Sequence, residues 1–323
     1  MSARLNYCGD TDQLLAEAVA RVVRRLRARD ALDSFYFDRG WEGGPHVRLH
    51  LLPAQPADAA LARETLETYV GKYFADHPSP AVPDAEEAYR VNAARLAAAE
   101  GRRTFDPHLH PTDTVEFAPY HFDYHSWGTG PVQSAAETHF ADSSRIALRM
   151  IFDRTGPERR CTAFLGMVVL TLAVLEPNPE AAGRRLRQHL DSCEAIPHTA
   201  GTPVRRHALD LWSYASGAGR YPLRGPLLTW LRSMRIFREQ LRAARRSGAF
   251  VPTGHRSPLA PLAVAASPQT RAIADVLLYA AHVHGNRLAI SRATQTRLAG
   301  LVARALIELD EATGSPTLTA VGA

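Results

Sequence analysis

His46, Arg48 and His50 alternate along one short run, with Val47, Leu49 and Leu51 between them. At the two-residue period of a strand the first three share one face and the three aliphatic residues share the other. Two imidazoles and a guanidinium in a row can hold an anion, orient a carbonyl or pass a proton. The plainer reading is a polar row facing water on an antiparallel sheet. His121, Asp123 and His125 alternate too, and His-x-Asp is a spacing found in facial-triad iron sites. Against a metal, fourteen histidines make chance pairs such as His108 with His110 and His282 with His284 common. Nucleophilic catalysis has less support, since no Gly-x-Ser-x-Gly is present. Cys8, Cys161 and Cys193 lie far apart, without the spacing of a disulfide framework or a zinc site.

The elements that must position these residues can be read from periodicity. Phe35 and Phe37 alternate with Tyr36 and Asp38, which predicts a strand; Trp41-Glu42-Gly43-Gly44-Pro45 is turn chemistry, and a second strand resumes at His46. Asp10 or Thr11 caps a helix with Leu14, Leu15, Ala18, Val19, Val22, Val23 and Leu26 at helical spacing. Helices are expected over 57–74, 85–101, 131–152, 161–175, 177–190, around 207–214, and over 227–247, 269–283 and 292–309. A further strand region is expected over 114–124, and loops over 77–83 and 248–268. The expected class is α+β, many helices packed with a small antiparallel sheet. Residues 1–312 are expected to form one domain, followed by a polar tail over 313–323.

The 323 residues are 46% hydrophobic, ample for a packed core. The longest apolar run, 163–175, is broken by Gly166 and Thr171 and is too short to span a bilayer. With no basic-then-apolar start, a cytoplasmic protein with no membrane partner is expected. The net charge of +5 rests on arginine, because Lys72 is the only lysine. Arg232, Arg235, Arg238, Arg242 and Arg245 fall at helical spacing and form a basic stripe. It reads either as a solvated face or as a groove for an acidic peptide; nucleic acid is not expected, since no aromatic platform accompanies it.

Three segments, in order, resemble the C-terminal elimination domain of lantibiotic dehydratases, which also occurs alone in thiopeptide pathways. They are the aromatic strand with Gly44-Pro45-His46-Val47-Arg48-Leu49; Tyr120 through Gly128, followed by Glu137, Phe140, Asp142 and Ser143; and His282-Val283-His284-Gly285-Asn286-Arg287-Leu288. The resemblance runs from the first fifty residues to the last fifty. In eliminating members, arginines of the first two segments grip a glutamate esterified to a peptide Ser or Thr, and the C-terminal His assists proton transfer. Arg48 and His282 are kept here, but the second strand arginine is His50, the Glu is Asp123 and the next Arg is Ser126. Neither His nor Ser reproduces the bidentate grip of a guanidinium on a carboxylate.

The resemblance therefore implies the other relative of this domain, the pyridine synthase. Such an enzyme joins two dehydroalanines of a thiazolyl peptide by a formal aza-[4+2] cycloaddition, with loss of water and of the leader peptide. By this resemblance His46, Arg48, His50, Asp123, Tyr124, Ser126 and His282 are expected to be catalytic. Tyr36, Trp41, Trp127, Asn286, Arg287, Arg235 and Arg242 are expected to contact substrate. No metal or other cofactor is implied. The partners implied are a precursor peptide with an acidic leader and a dehydroalanine and thiazole core, and other thiopeptide enzymes; a homodimer is allowed. Glutamate elimination, a leader-binding module without catalysis and a non-haem iron enzyme stand as alternatives.

Overall fold

A computed structural model describes residues 1–122, 127, 129–190, 196–217, 219, 223–249 and 257–314. They fall into two compact units: Met1–Tyr124 with Ala136–Gly156 and Asn286–Ala289, and His125–Ala135 with Pro157–Gly285 and Ile290–Ala323.

In the first unit the chain runs β1 (Ser2–Asn6), α1 (Thr11–Leu14), a π-helical turn (Leu15–Val19), α2 (Ala20–Arg27), β2 (Leu32–Gly40), β3 (His46–Pro53), α3 (Asp58–Asp76), α4 (Ala85–Glu100) and β4 (Thr114–Ala118). Most of the next helix, α5 (Pro131–Phe152), also belongs here. The strands form one antiparallel sheet in the order β2-β3-β1-β4. Its apolar face carries Ala3, Leu5, Phe35, Phe37, Val47, Leu49 and Leu51, each no more than 1% exposed. α2 and α3 pack on the sheet, and Leu14, Leu15, Ala18, Val22 and Leu26 are buried at the helical spacing the sequence shows. Asp10 caps the first helix, its carboxylate accepting from the N–H groups of Asp12 (2.8 Å) and Gln13 (3.2 Å).

β2 is an edge strand, and its edge is closed by side chains. Its residues 36, 38 and 40 pair with β3, so Phe37 and Arg39 turn their backbone groups outward. The Asn286 carboxamide answers both groups of Arg39, accepting from its N–H (3.0 Å) and donating to its carbonyl (3.1 Å). Phe37 N–H donates to Ser144 Oγ (3.1 Å), and Arg287 Nε donates to Phe37 O (2.6 Å). One amide side chain thus does what a neighbouring strand would do.

The second unit is helical: α6 (Pro157–Leu175), α7 (Pro179–Leu190), α8 (Thr202–Ser216), α9 (Gly225–Arg246), α10 (Arg271–Arg287) and α11 (Arg292–Gly314), with a 3-10 turn at Ala260–Ala265. Every residue from Phe164 to Leu175 is buried, which makes α6 the core helix against which α8, α9 and α11 pack. Trp230 fixes α9 to it, the indole N–H reaching Met167 O (3.0 Å) and Thr171 Oγ1 (3.1 Å). Among the described residues no single helix is long and apolar enough to cross a membrane.

Three expectations shift. β1, at the centre of the sheet, was not foreseen. The strand expected over 114–124 ends at Ala118, ahead of Pro119. The helix expected over 269–283 continues to Arg287, so Asn286 and Arg287 sit on its last turn. The α+β class, with a small antiparallel sheet among many helices, is what the molecule shows.

Candidate functional site

The second face of the sheet is polar, and its rows follow from register. Tyr36, His50 and Ser2 align across β2, β3 and β1; Asp38, Arg48, Arg4 and Glu116 form the next row; Gly40, His46, Asn6 and Thr114 the third. The row expected to face water is not uniformly wet. Arg48 is exposed, but His46 and His50 are only 2% and 5% exposed.

His50 stacks on Tyr36 with ring centroids 4.3 Å apart, and its Nδ1 lies 2.8 Å from Ser2 Oγ. Desolvation pushes its pKa down to about 4, with Arg48 and Arg287 adding to the shift and Asp38 opposing it. It is a neutral imidazole at pH 7. Tyr36 begins a hydrogen-bonded chain. Its hydroxyl is 3.0 Å from that of Tyr120, which donates to the carboxylate of Glu137. Burial holds both phenols well above their ordinary range. The result is a phenol pair, Tyr36 buried and Tyr120 half-buried, that ends on a carboxylate, with a neutral histidine against the first ring.

His46 is held differently. Its Nδ1–H donates to Gly44 O (2.9 Å), and its ring fills the place of a side chain at Gly40, where a Cβ would stand 2.1 Å from Nε2. Burial lowers its pKa to about 4. Beside it Arg4 donates to Asn6 Oδ1 (2.7 Å) and Glu42 O (2.6 Å). His110 lies between Asp106 (3.1 Å) and Glu116 (3.1 Å). Trp41 donates its indole N–H to Glu100 (3.0 Å), with the Arg102 guanidinium 5.2 Å from its ring centre.

Arg287 is 0% exposed. Besides Phe37 O, it donates to Ser143 Oγ (2.9 Å), pairs with Asp38 (2.9 Å) and lies 5.2 Å from the Phe140 ring centre. With Asn286 bonded to Arg39, both residues of the Asn-Arg pair engage the protein's own strand.

In the second unit His282 donates Nδ1–H to Gln295 Oε1 (2.8 Å). The amide orientation is fixed because Gln295 Nε2 donates to Ile290 O (2.9 Å). This tautomer leaves Nε2 as the lone-pair nitrogen, and burial lowers the pKa to about 4. Gly285 makes room for that glutamine: a Cβ there would lie 2.7 Å from Gln295 Cδ. Trp127 stacks on Tyr279 at 4.9 Å, and Tyr279 lies 6.0 Å from His282. Asp123, Tyr124 and Ser126 lie outside the described residues, as do two members of the His121–Asp123–His125 triplet.

The arginine stripe of α9 is largely engaged. Arg235 donates to Ala215 O (2.6 Å) in the last turn of α8, Arg238 to Val174 O in the last turn of α6, and Arg245 to Gln269 O. Cations at helix C-termini answer both the unpaired carbonyls and the dipole. Arg242 bonds Glu239 (3.4 Å).

Sequence reasoning missed Ser2, Asp38, Gln295 and Tyr279 and gave no role to Tyr120 or Glu137. The alternation of Ser2, Arg4 and Asn6 with Ala3 and Leu5 was the available signal for β1.

A partly buried polar sheet face within this α+β fold has a family. The chain matches the lantibiotic biosynthesis dehydratase C-terminal family over residues 1–306, and it belongs to that family. Among solved structures it resembles TbtD, a pyridine synthase from thiomuracin biosynthesis, with a TM-score of 0.72 and 20% identity over 96% of this chain and 98% of that one. It also resembles TsrL, with a TM-score of 0.61 and 13% identity over 97% and 95% of the two chains. The tRNA-dependent lantibiotic dehydratase MibB from Microbispora sp. 107891 aligns with a TM-score of 0.55 and 16% identity, over 97% of this chain and 28% of that one. No curated protein matches in sequence. These likenesses show the fold. Membership of the family makes this a biosynthetic enzyme of modified ribosomal peptides.

Proposed function

We propose that the protein is a pyridine synthase acting on a bis-dehydroalanine thiazolyl peptide, without metal or other cofactor. The observation that carries this reading is His50. Where eliminating relatives are expected to present a second guanidinium, this chain has a neutral imidazole stacked on Tyr36 and bonded to Ser2. Such a group cannot grip a glutamate carboxylate bidentately.

The chemistry asks for orientation and proton transfer. One dehydroalanine and its neighbouring amide, as the iminol tautomer, supply the azadiene; the other dehydroalanine supplies the alkene. Two C–C bonds close the six-membered ring, leaving a hydroxyl on the former carbonyl carbon. Protonating that hydroxyl expels water, and loss of a first ring proton gives the dihydropyridine. Loss of a ring proton, with protonation of the departing nitrogen, then releases the leader as a carboxamide and leaves the pyridine. Holding both alkenes at reacting distance contributes up to about 7–11 kcal/mol. Tyr120, which links the Tyr36 hydroxyl to the Glu137 carboxylate, suits a proton relay in the acid step; the lone-pair Nε2 of His282 suits the base step. Arg48, exposed on β3, suits a substrate carbonyl. His46, Asp123, Tyr124 and Ser126 remain in the proposed catalytic set.

Mass spectrometry on a dehydroalanine-bearing precursor tests this. The expected result is a macrocycle lighter by water and leader, with a leader ending in carboxamide. Loss of glutamate from a glutamylated peptide, or no mass change, overturns it.

A further inference from the structure

The two edges of the sheet are treated differently. That of β2 is closed by Asn286, Arg287 and Ser144. That of β4 is not. Tyr7 N–H donates to Pro45 O (3.1 Å) and Leu51 N–H to Met1 O (3.0 Å), so the odd-numbered residues of β1 bond toward β3. Its even-numbered residues therefore bond toward β4, through Thr114, Glu116 and Ala118. Val115 and Phe117 must then turn their N–H and C=O groups away from the sheet, and among the described residues no hydrogen bond answers them.

Next to this open edge lies a cleft of about 410 Å³ between β4 and the start of α3, lined by Met1, Ala59, Ala60, Arg63, Phe117 and Pro119. Its walls are apolar apart from Arg63, whose guanidinium lies 4.2 Å from the Phe117 ring centre and pairs with Glu67 (3.2 Å) on the surface. Such an exposed pair is weak and exchanges readily for another carboxylate.

We infer that β4 receives an extended segment of the peptide substrate as a fifth strand, with one apolar side chain in the cleft and a carboxylate beside it on Arg63. Backbone bonds to Val115 and Phe117 give affinity, and the cleft gives register. A strand edge is complementary to one occupant, another extended backbone, and this family acts on peptides. The site rests on the proposed reading for its ligand but not for its chemistry. It also suits the state of the α9 stripe, in which Arg235 and Arg238 are engaged by the ends of neighbouring helices.

The test is residue-resolved hydrogen exchange on the full chain, with the precursor peptide of the activity assay as probe and its affinity read by fluorescence anisotropy. At saturating peptide the amides of Val115 and Phe117 slow at least tenfold, while those of Phe37 and Arg39 do not change. Ala60→Trp, at an exposed position, fills the cleft and weakens binding about tenfold. Absence of binding, binding without slowing at the edge, or full affinity in A60W overturns the inference. So does slowing that needs no peptide and grows with protein concentration, which would give the edge to a second copy. Turnover without protection at the edge removes this site alone; protection without turnover removes the proposed chemistry alone.

Discussion

Arg287→Met probes whether the Asn-Arg pair serves substrate or scaffold. The substitution removes a guanidinium with 0% exposure, which donates to Phe37 O at 2.6 Å and Ser143 Oγ at 2.9 Å and pairs with Asp38 at 2.9 Å. Breaking a buried pair by deleting one partner costs about 3–5 kcal/mol, because the other charge is left uncompensated. Asp38 retains 33% side-chain exposure, so water relieves part of that penalty. The contact between Arg287 Nη2 and Asp38 Oδ1 is also an ion pair without hydrogen-bond alignment. Met keeps most of the volume against Phe140. The expected loss is therefore near the lower end, about 3 kcal/mol. Urea unfolding followed by circular dichroism reads it as a fall in midpoint at constant slope. Arg287→Lys should not rescue, since a single ammonium cannot reach three acceptors set around a planar fork. Asp38→Asn combined with R287M should lose less than the sum of the two single variants, because the partner charge is then gone. A loss below about 1 kcal/mol, or unchanged stability with a raised KM, would refute the scaffold role and return Arg287 to the substrate.

Stability should also report the buried imidazoles. The folded pKa values of His46 and His50, each about 4, lie below the ordinary 6.5, so the folded state binds fewer protons than the unfolded chain. Their contribution is complete above pH 6.5 and is lost as pH falls toward 4, by about 3 kcal/mol each at most; a urea midpoint flat from pH 7 to 4.5 would contradict it. Tyr120→Phe deletes the link from Tyr36 to Glu137 and should lower kcat about a hundredfold with KM and stability little changed; an unchanged kcat takes Tyr120 out of the chemistry. Gly183→Ala would place a Cβ 2.1 Å from Leu306 O on the facing helix, forcing α7 from α11 at a cost of about 1–3 kcal/mol. A melting temperature equal to that of the parent chain would show that the helices give way freely.

Much of the scaffold was legible because it repeats. The apolar positions of the first helix, the run that became α6 and the strand pair around Gly43-Gly44 announce themselves by period and turn chemistry. β1 escaped because five residues at a chain start give too few repeats for alternation to stand out, although it holds the sheet together. The candidate site was legible by residue type but not by environment. Nothing in the spacing of His46 and His50 says that both rings are covered, since that depends on Tyr36, Gly40 and Gly44. The arginines of α9 illustrate the same limit. Their helical spacing is real, but Arg235 and Arg238 find their partners in carbonyls on other helices, which no periodicity encodes.

The Asn286 amide that closes β2 carries a consequence for how the chain is made. All four strands emerge within the first 118 residues, yet the groups that cover the β2 edge arrive with Ser144 and, last, with Asn286 and Arg287. At about 5–20 residues per second, a ribosome leaves that edge uncovered for roughly ten to thirty seconds. During that interval a nascent sheet offers its outermost strand to any neighbour, including a second nascent copy. The sheet is therefore early in sequence but late in completion, and truncated chains ending before α10 should aggregate through the strand that the finished protein conceals.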